Sequence, residues 1–381
     1  MAECIIFGAG KIARGFIGQL LFLSGINFVF IEENGELVKL MEARGEYSVN
    51  VLGAPQKNSV VRGWRIISAH DQEKINAEAR DAKLIFTAVG GKNLPAIVPA
   101  LAGLLQNALP NAVNAITCEN WKQPADTLKK GILSIAPGIK AGFAEAVVMR
   151  SAIEPGADML ESDPLCVCVQ DFWHLPVDAD SLVAPLPDIS GLEPIHNFAG
   201  YLERKFYTYN AANGTVSYLG ALLGHEYISE AARDGRIAEI LDKVYEETGR
   251  ALCAKHKIPF EEQMAFAETS RAKLLDRIIV DTPERNARDP MRKLGPDDRL
   301  VGSAKLALDF GIVPHGLATA VASAIYYEGA PNDASAKELR ALRESEGARG
   351  VLAKVCGLAE NGLLYNLVLE KIEELREKKW I

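Results

Sequence analysis

The chain has 381 residues, is 48% hydrophobic and carries a formal charge of −8, which at roughly 100–200 residues per domain suggests two domains with a cleft between them. Mixed charges without a basic block exclude an electrostatic footprint for nucleic acid, and no apolar run reaches the ~18 residues of a membrane helix. Met1-Ala2-Glu3-Cys4 leads straight into Ile5-Ile6-Phe7 with no secretory signal, and six scattered cysteines without a Cys-x-x-Cys pair fit a reducing, cytoplasmic compartment.

The first half alternates short apolar runs with amphipathic stretches. Cys4–Phe7, Asn27–Ile31, Lys83–Ala88 and Ala112–Thr117 read as strands, with helices over Ile12–Ser24 and Gly35–Ala43 between them. That alternation predicts an α/β Rossmann-type doubly wound parallel sheet. Ser48–Val51 and Val60–Ile67 read as an added strand pair, and Pro164–Phe172 as a further strand. From Ile195 onward the apolar spacing is three and four residues, as in Ile237–Ala251, Leu317–Tyr326 and Leu363–Leu375, which predicts an all-helical C-terminal domain. The expected division is 1–194 for the nucleotide-binding domain and 195–381 for a helical substrate domain. Asp281–Arg299, with Pro283, Pro290 and Pro296, reads as a long polar loop between helices.

Phe7-Gly8-Ala9-Gly10-Lys11-Ile12-Ala13 is a G-x-G-x-x-A turn between the first strand and a helix. Glycines there let the backbone turn tightly and approach a pyrophosphate, and the helix N-terminus favours the anion. Glu32 ends the next strand, where a carboxylate accepts hydrogen bonds from ribose hydroxyls and repels a 2′-phosphate, so the cofactor expected is NAD rather than NADP. Ala88, Val89 and Gly90, at the end of a later strand, form a small-residue loop suited to close backbone approach.

Hydride transfer between a carbinol carbon and a nicotinamide requires a group that takes the hydroxyl proton and donors that stabilise the oxygen. His70, His174, His196, His225, His256 and His315 lack zinc-ligand spacing, so no metal site is expected. Lys205 begins the run Lys-Phe-Tyr-Thr-Tyr-Asn210-Ala-Ala-Asn213. On a regular helix Asn210 and Asn213 stand about 140° and 80° from it, so all three can turn into one cleft. A lysine desolvated there has the lowered pKa that a general base near neutral pH needs.

The segment Glu203–Asn210, with Ser217-Tyr218-Leu219-Gly220 and Leu223-Gly224-His225, resembles the signature of the polyol-specific long-chain dehydrogenases. The likeness extends through Arg14-Gly15-Phe16-Ile17-Gly18, Thr87–Gly90, Cys118-Glu119-Asn120, Pro290-Met291-Arg292-Lys293-Leu294 and Asp298-Arg299-Leu300. It implies a Rossmann domain followed by a helical domain, Lys205 as general acid/base, and Asn120 with Asn210 as the oxyanion-binding pair. The implied reaction is the NAD-dependent interconversion of a sugar alcohol or its phosphate with the ketose, mannitol 1-phosphate and fructose 6-phosphate first. Tagaturonate or fructuronate reduction is the alternative within the family.

Two positions depart from the family pattern. Asn213 stands where the family's lysine motif ends in histidine, and Met149 stands where an aspartate usually precedes Arg150; both fall on the substrate side. Asn213, His315 in Pro314-His315 and Arg150 are the candidate substrate-binding residues. Arg285, Arg288, Arg292 and Arg299 are read as solvated or ion-paired. Two rival readings stand beside it: a β-hydroxyacid dehydrogenase, whose lysine and asparagine sit four residues apart rather than five, and a non-catalytic NAD-binding sensor. The expected partner is a small polyol or ketose, and monomer and small homo-oligomer both remain open.

Overall fold

The computed structural model describes residues 2–108, 111–330 and 332–381, and the chain separates into two compact units that meet between Phe198 and Ala199. In the first unit the strands are β1 (Cys4–Phe7), β2 (Phe28–Glu32), β3 (Glu46–Val51), β4 (Ser59–Arg62), β5 (Arg65–Ser68), β6 (Leu84–Thr87), β7 (Val113–Thr117), β8 (Ala141–Glu145), β9 (Ala152–Ile153), β10 (Val167–Val169), β11 (Leu175–Asp178) and β12 (Leu192–Ile195). Six of them form one sheet in the order β5-β2-β1-β6-β7-β8, every pairing parallel. The order turns back at β1, so β1 and β6 flank the switch point beyond whose C-terminal ends such sheets bind ligands.

The central strands β1, β6 and β7 are buried on both faces, as a sheet covered by helices requires. Along β1 the alternation is direct: Cys4 and Ile6 join the core on one side, Ile5 and Phe7 the core on the other. The expected pair Ser48–Val51 and Val60–Ile67 splits differently. Gly63, at φ +78°, breaks the second run; β4 pairs antiparallel with β3, whereas β5 joins the main sheet beside β2. β3 also pairs parallel with β10, completing a four-stranded sheet, β4-β3-β10-β9. This small sheet clamps the helix that follows the glycine turn. A Cβ on Gly15 would lie 2.8 Å from Cγ1 of both Val167 and Val169, and the Tyr47 hydroxyl donates to the Arg14 carbonyl at 3.1 Å.

The second unit is helical. Its centre is helix His315–Ile325, buried all round from Gly316 to Ile325, as a helix apolar on every face must be. Around it pack Ala211–Leu222, Gly235–His256 and Leu363–Glu377. Glu247 reaches its N-terminus, where the carboxylate accepts from Gly316 N at 2.7 Å and Leu317 N at 3.0 Å; burial pushes its pKa up to about 7. The stretch 281–299, expected as loop, instead holds two short helices, Pro283–Ala287 and Pro290–Lys293. Both start on proline, which is favoured at the first helical position because its missing N–H is unpaired there in any case.

Candidate active site

In the first unit the glycine turn sits at the switch point. Gly8 has φ +93°, and a Cβ on it would fall 2.6 Å from the Ala88 carbonyl oxygen, so only glycine lets the two strand ends come this close. Gly10 is exposed, and nothing lies within 4 Å of where its Cβ would be. The helical stretch 11–23 starts directly after it, and its first-turn amides have no helical acceptor of their own. Open space, a glycine edge and a helix N-terminus together suit a pyrophosphate. Phe7 ends buried β1, Ala9 is buried, Ile12 is half-buried, and exposed Lys11 ion-pairs with Glu154.

The Glu32 carboxylate accepts from Ala9 N at 2.7 Å and from Asn34 N at 2.9 Å. It therefore braces the glycine turn besides presenting negative charge at the end of β2. A residue that the motif reading passed over does the same for the neighbouring loop: Glu119, buried after β7, accepts from Val89 N at 3.0 Å and Gly90 N at 2.9 Å. It was visible only as part of Cys118-Glu119-Asn120, because nothing local in a sequence says which loop a carboxylate holds. Asn120 beside it is exposed.

Arg150 occupies a different setting from the substrate contact expected of it. It is 2% exposed; its Nε donates to Gln170 O at 2.8 Å, and Nη1 donates to Gly15 O at 3.0 Å and Gln19 Oε1 at 2.7 Å. Its guanidinium lies 4.3 Å from the Trp173 ring centre. These contacts tie the helix after the glycine turn to the small sheet, and burial lowers the Arg150 pKa to about 10.

In the second unit the candidate catalytic residues lie on one helical run. Phe198–Lys205 is α-helical, Phe206–Asn210 is a π-turn, and Ala211–Leu222 is α-helical again. The Ala211 amide donates to Phe206 O, five residues back. Such i→i+5 winding stacks residues five apart. Lys205 and Asn210 therefore share a face instead of standing about 140° apart as on a regular helix. Asn213, three α-helical residues further on, stays within roughly 60° of Asn210. The wide turn is held from outside: buried Arg204 donates to Gln263 Oε1 at 2.6 Å and Glu262 Oε1 at 2.8 Å, and Gln263 donates to Thr208 Oγ1 at 2.9 Å. Two residues before Lys205, the Glu203 carboxylate takes Lys255 and His256, each at 2.7 Å.

Burial, with the charges of Lys273 and Arg299 added, lowers the Lys205 pKa to about 8. Arg299 lies along the helix. Its Cδ is 3.4 Å from where a Gly214 Cβ would stand, its guanidinium is 5.5 Å from the Phe206 ring centre, and its Nε donates to Asp298 Oδ1 at 2.9 Å. Asn213 donates to Asn286 Oδ1 at 3.3 Å, and the Asn286 carbonyl accepts from Lys293 Nζ. Burial and the charges of Arg299 and Arg292 lower the Lys293 pKa to about 8. Sequence reading missed Lys273, Lys293 and Asn286. Lys293 at least stood within a recognised motif, whereas Lys273 is one lysine on a helix and carried no signal.

His315 stands elsewhere in this unit. It is exposed at the start of its helix and lines a cavity of about 550 Å³ with Lys243, Glu247, Arg250 and Lys371, a lining that includes none of Lys205, Asn210 or Asn213. Among the described residues no group of His, Cys, Asp and Glu is arranged to hold a metal ion.

A parallel sheet with a glycine turn at its switch point, joined to helices bearing a desolvated lysine, has clear relatives. Mannitol-1-phosphate 5-dehydrogenases of Thermoanaerobacter pseudethanolicus and Geobacillus thermodenitrificans are each 31% identical, over 99% of this chain and 99% and 100% of their own lengths. The fold matches substrate-free D-sorbitol dehydrogenase with a TM-score of 0.81 at 15% identity, covering 99% of this chain and 94% of that one. It also matches Pseudomonas fluorescens mannitol 2-dehydrogenase, in its ternary complex with NAD and D-mannitol, with a TM-score of 0.67 at 15% identity, covering 100% and 92%. Residues 2–191 fit the mannitol dehydrogenase Rossmann domain and residues 197–376 the mannitol dehydrogenase C-terminal domain, so the chain belongs to the mannitol dehydrogenase family.

Proposed function

We propose that this chain is an NAD-dependent polyol dehydrogenase that interconverts mannitol 1-phosphate and fructose 6-phosphate. The observation that carries the reading is the π-turn that sets Lys205, with a pKa lowered to about 8, on the same face as Asn210. The names of the relatives at 31% identity support the substrate pair.

The turn from Phe7 to Ile12 and the loop Ala88–Gly90 would hold the cofactor, Gly8, Ala9 and Gly10 its pyrophosphate and Glu32 its ribose hydroxyls. Bound there, NADH supplies the hydride, and NAD takes it in reverse. The chain's own residues handle the oxygen and its proton. In ketose reduction the Lys205 ammonium gives a proton to the carbonyl oxygen as carbon is reduced, and neutral Lys205 takes that proton back when the alcohol is oxidised. Asn210 donates its amide hydrogens to the oxygen while it carries charge, the role that the family resemblance also gives Asn120. Asn213 holds a sugar hydroxyl, since an amide both donates and accepts. Arg150, through Nε and Nη1 bonded to Gln170, Gly15 and Gln19, supports the helix after the glycine turn.

The test is NADH oxidation followed across fructose 6-phosphate, fructose, tagaturonate and fructuronate, with NADPH run in parallel. Fructose 6-phosphate with NADH should give the highest kcat/KM. Absence of turnover with every ketose would reject the reading, and equal use of NADPH would remove the role given to Glu32.

A further inference from the structure

We propose that Trp121 receives the nicotinamide end of NAD and favours its oxidised, positively charged ring over the reduced, neutral one. The inference rests on the cofactor reading and adds to it the side chain that would set the balance between NAD and NADH.

The strand order gives the side on which that end lies. In β5-β2-β1-β6-β7-β8, β2 with Glu32 stands on one side of β1, and β6 and β7 stand on the other. A dinucleotide bound across the switch point keeps its pyrophosphate at the glycine turn after β1, between its two nucleosides. With the adenosine ribose at Glu32, the nicotinamide half runs out beyond β6 and β7. At about 4.8 Å per strand the end of β7 is roughly 10 Å from β1, within reach of a nucleoside tethered there.

Trp121 follows β7 and is seated on the loop after β6. The two strand ends are tied together: Cys118 N donates to Thr87 O at 2.9 Å, and the Glu119 carboxylate takes Val89 N and Gly90 N. Asn93 Nδ2 donates to Val89 O at 2.8 Å and closes the loop from its far end. Trp121 lies so near Gly91 that a Cβ on this glycine would run into the Trp121 Cβ and Cγ, yet the tryptophan is 55% exposed. A lone exposed aromatic is ordinary on a protein surface. A tryptophan set against a glycine backbone, two strands from the phosphate turn, is a held ring with area left for a partner. Aromatic faces carry negative potential, and indole attracts cations most strongly among the aromatic side chains. Oxidised nicotinamide is a pyridinium cation, and hydride addition removes its charge. Of the charged groups on these two loops, exposed Lys92 and Lys122 would repel a pyridinium, and the Glu119 carboxylate is already engaged with two amides.

The test is calorimetric titration of the full chain with NAD, NADH and ADP-ribose, which lacks the nicotinamide, in wild type, Trp121→Leu, Trp121→Phe and Gly91→Ala. Trp121→Leu should raise Kd for NAD by about 2- to 30-fold, the range for a cation over a tryptophan face from exposed to desolvated sites. Kd for NADH should rise less, and Kd for ADP-ribose should not change. Trp121→Phe, whose ring attracts cations less, should fall between wild type and Trp121→Leu. Gly91→Ala, which displaces the indole without removing it, should reproduce the loss for NAD; wild-type affinities in that variant would overturn the part given to the seat. Equal losses of all three ligands in both Trp121 variants would make the indole a support of the loop and overturn the proposal, as would unchanged affinity for all three. A loss for NADH equal to or larger than that for NAD would overturn the preference for the oxidised ring. If wild type binds none of the three, the cofactor reading itself fails, an outcome distinct from each of these.

Discussion

The two units build their sites from opposite materials. In the Rossmann unit the proposed cofactor site is backbone: the amides after Gly10, the close approach of Gly8 to Ala88, and carboxylates that hold loop amides, Glu32 on Ala9 and Glu119 on Val89 and Gly90. In the helical unit the site is made of side chains whose charges set each other's chemistry, Lys205 against Lys273 and Arg299, and Lys293 against Arg299 and Arg292. A backbone site depends on shape and is encoded locally. A charge site depends on which residues far apart in sequence come together, and its properties belong to the group.

The sharpest break between the two is at Lys205. Lys205→Ala should reduce kcat by about 10²–10⁴-fold, the usual contribution of a general acid or base, while NADH affinity measured by fluorescence titration stays at the wild-type value. In wild type, ketose reduction should slow as pH rises past a point near 8, because the ammonium that gives the proton is lost, and polyol oxidation should accelerate through the same point. A near-normal rate in the variant, or pH profiles without opposite slopes, would place the proton transfer on another group.

The matching break in the Rossmann unit is Gly8→Ala. Left-handed backbone costs an L-residue on the order of 1–2 kcal/mol, and the new Cβ would also meet the Ala88 oxygen at 2.6 Å. The dissociation constant for NADH should therefore rise roughly tenfold or more, since 1.4 kcal/mol is a factor of ten. The pH at which the rate turns should stay where it was. Unchanged NADH affinity would show that the loop tolerates the displacement, and a shifted pH inflection would show that the two sites are electrostatically linked.

The same contrast explains which parts of the molecule were legible in the sequence. Strands β1, β2, β6 and β7 were found to within a residue at each end, because central parallel strands are unbroken apolar runs with glycine or polar residues at their ends. β8 was missed: Ala141-Gly142-Phe143-Ala144-Glu145 is mostly small residues, and its place is fixed by pairing with β7. β5 was assigned to the wrong sheet because Gly63 between two apolar runs reads equally as a hairpin or as a break. In the site, the glycine turn and Glu32 could be read because their spacing is local. Lys273 could not, since its meaning comes from helices that fold against it. The helical spacing used for Lys205 and Asn210 assumed a regular α-helix, and the π-turn between them is held by tertiary contacts from Gln263 and Glu262 that no local pattern announces.

The smallest expected effect tests whether the charge site is also where substrates are told apart. Asn213 holds the position at which the family pattern has histidine, and it donates to Asn286, whose carbonyl in turn takes Lys293. An imidazole there keeps a donor for Asn286 but is shorter in hydrogen bonds than an amide, which offers two donors and an acceptor. It would also add a titrating group beside cations that oppose its protonation, so it should stay neutral through the working pH range. Asn213→His should therefore leave NADH affinity and the Lys205 inflection in place and alter only the grip on sugar hydroxyls. Relative kcat/KM among fructose 6-phosphate, fructose and fructuronate should shift by about 1–3 kcal/mol of discrimination at most. The change should fall on the hydroxyl pattern: the ratio between two ketose phosphates that differ at one hydroxyl should move more than the ratio between fructose 6-phosphate and fructose. Identical ratios in wild type and variant would separate Asn213 from the substrate and leave it a support for Asn286 and Lys293.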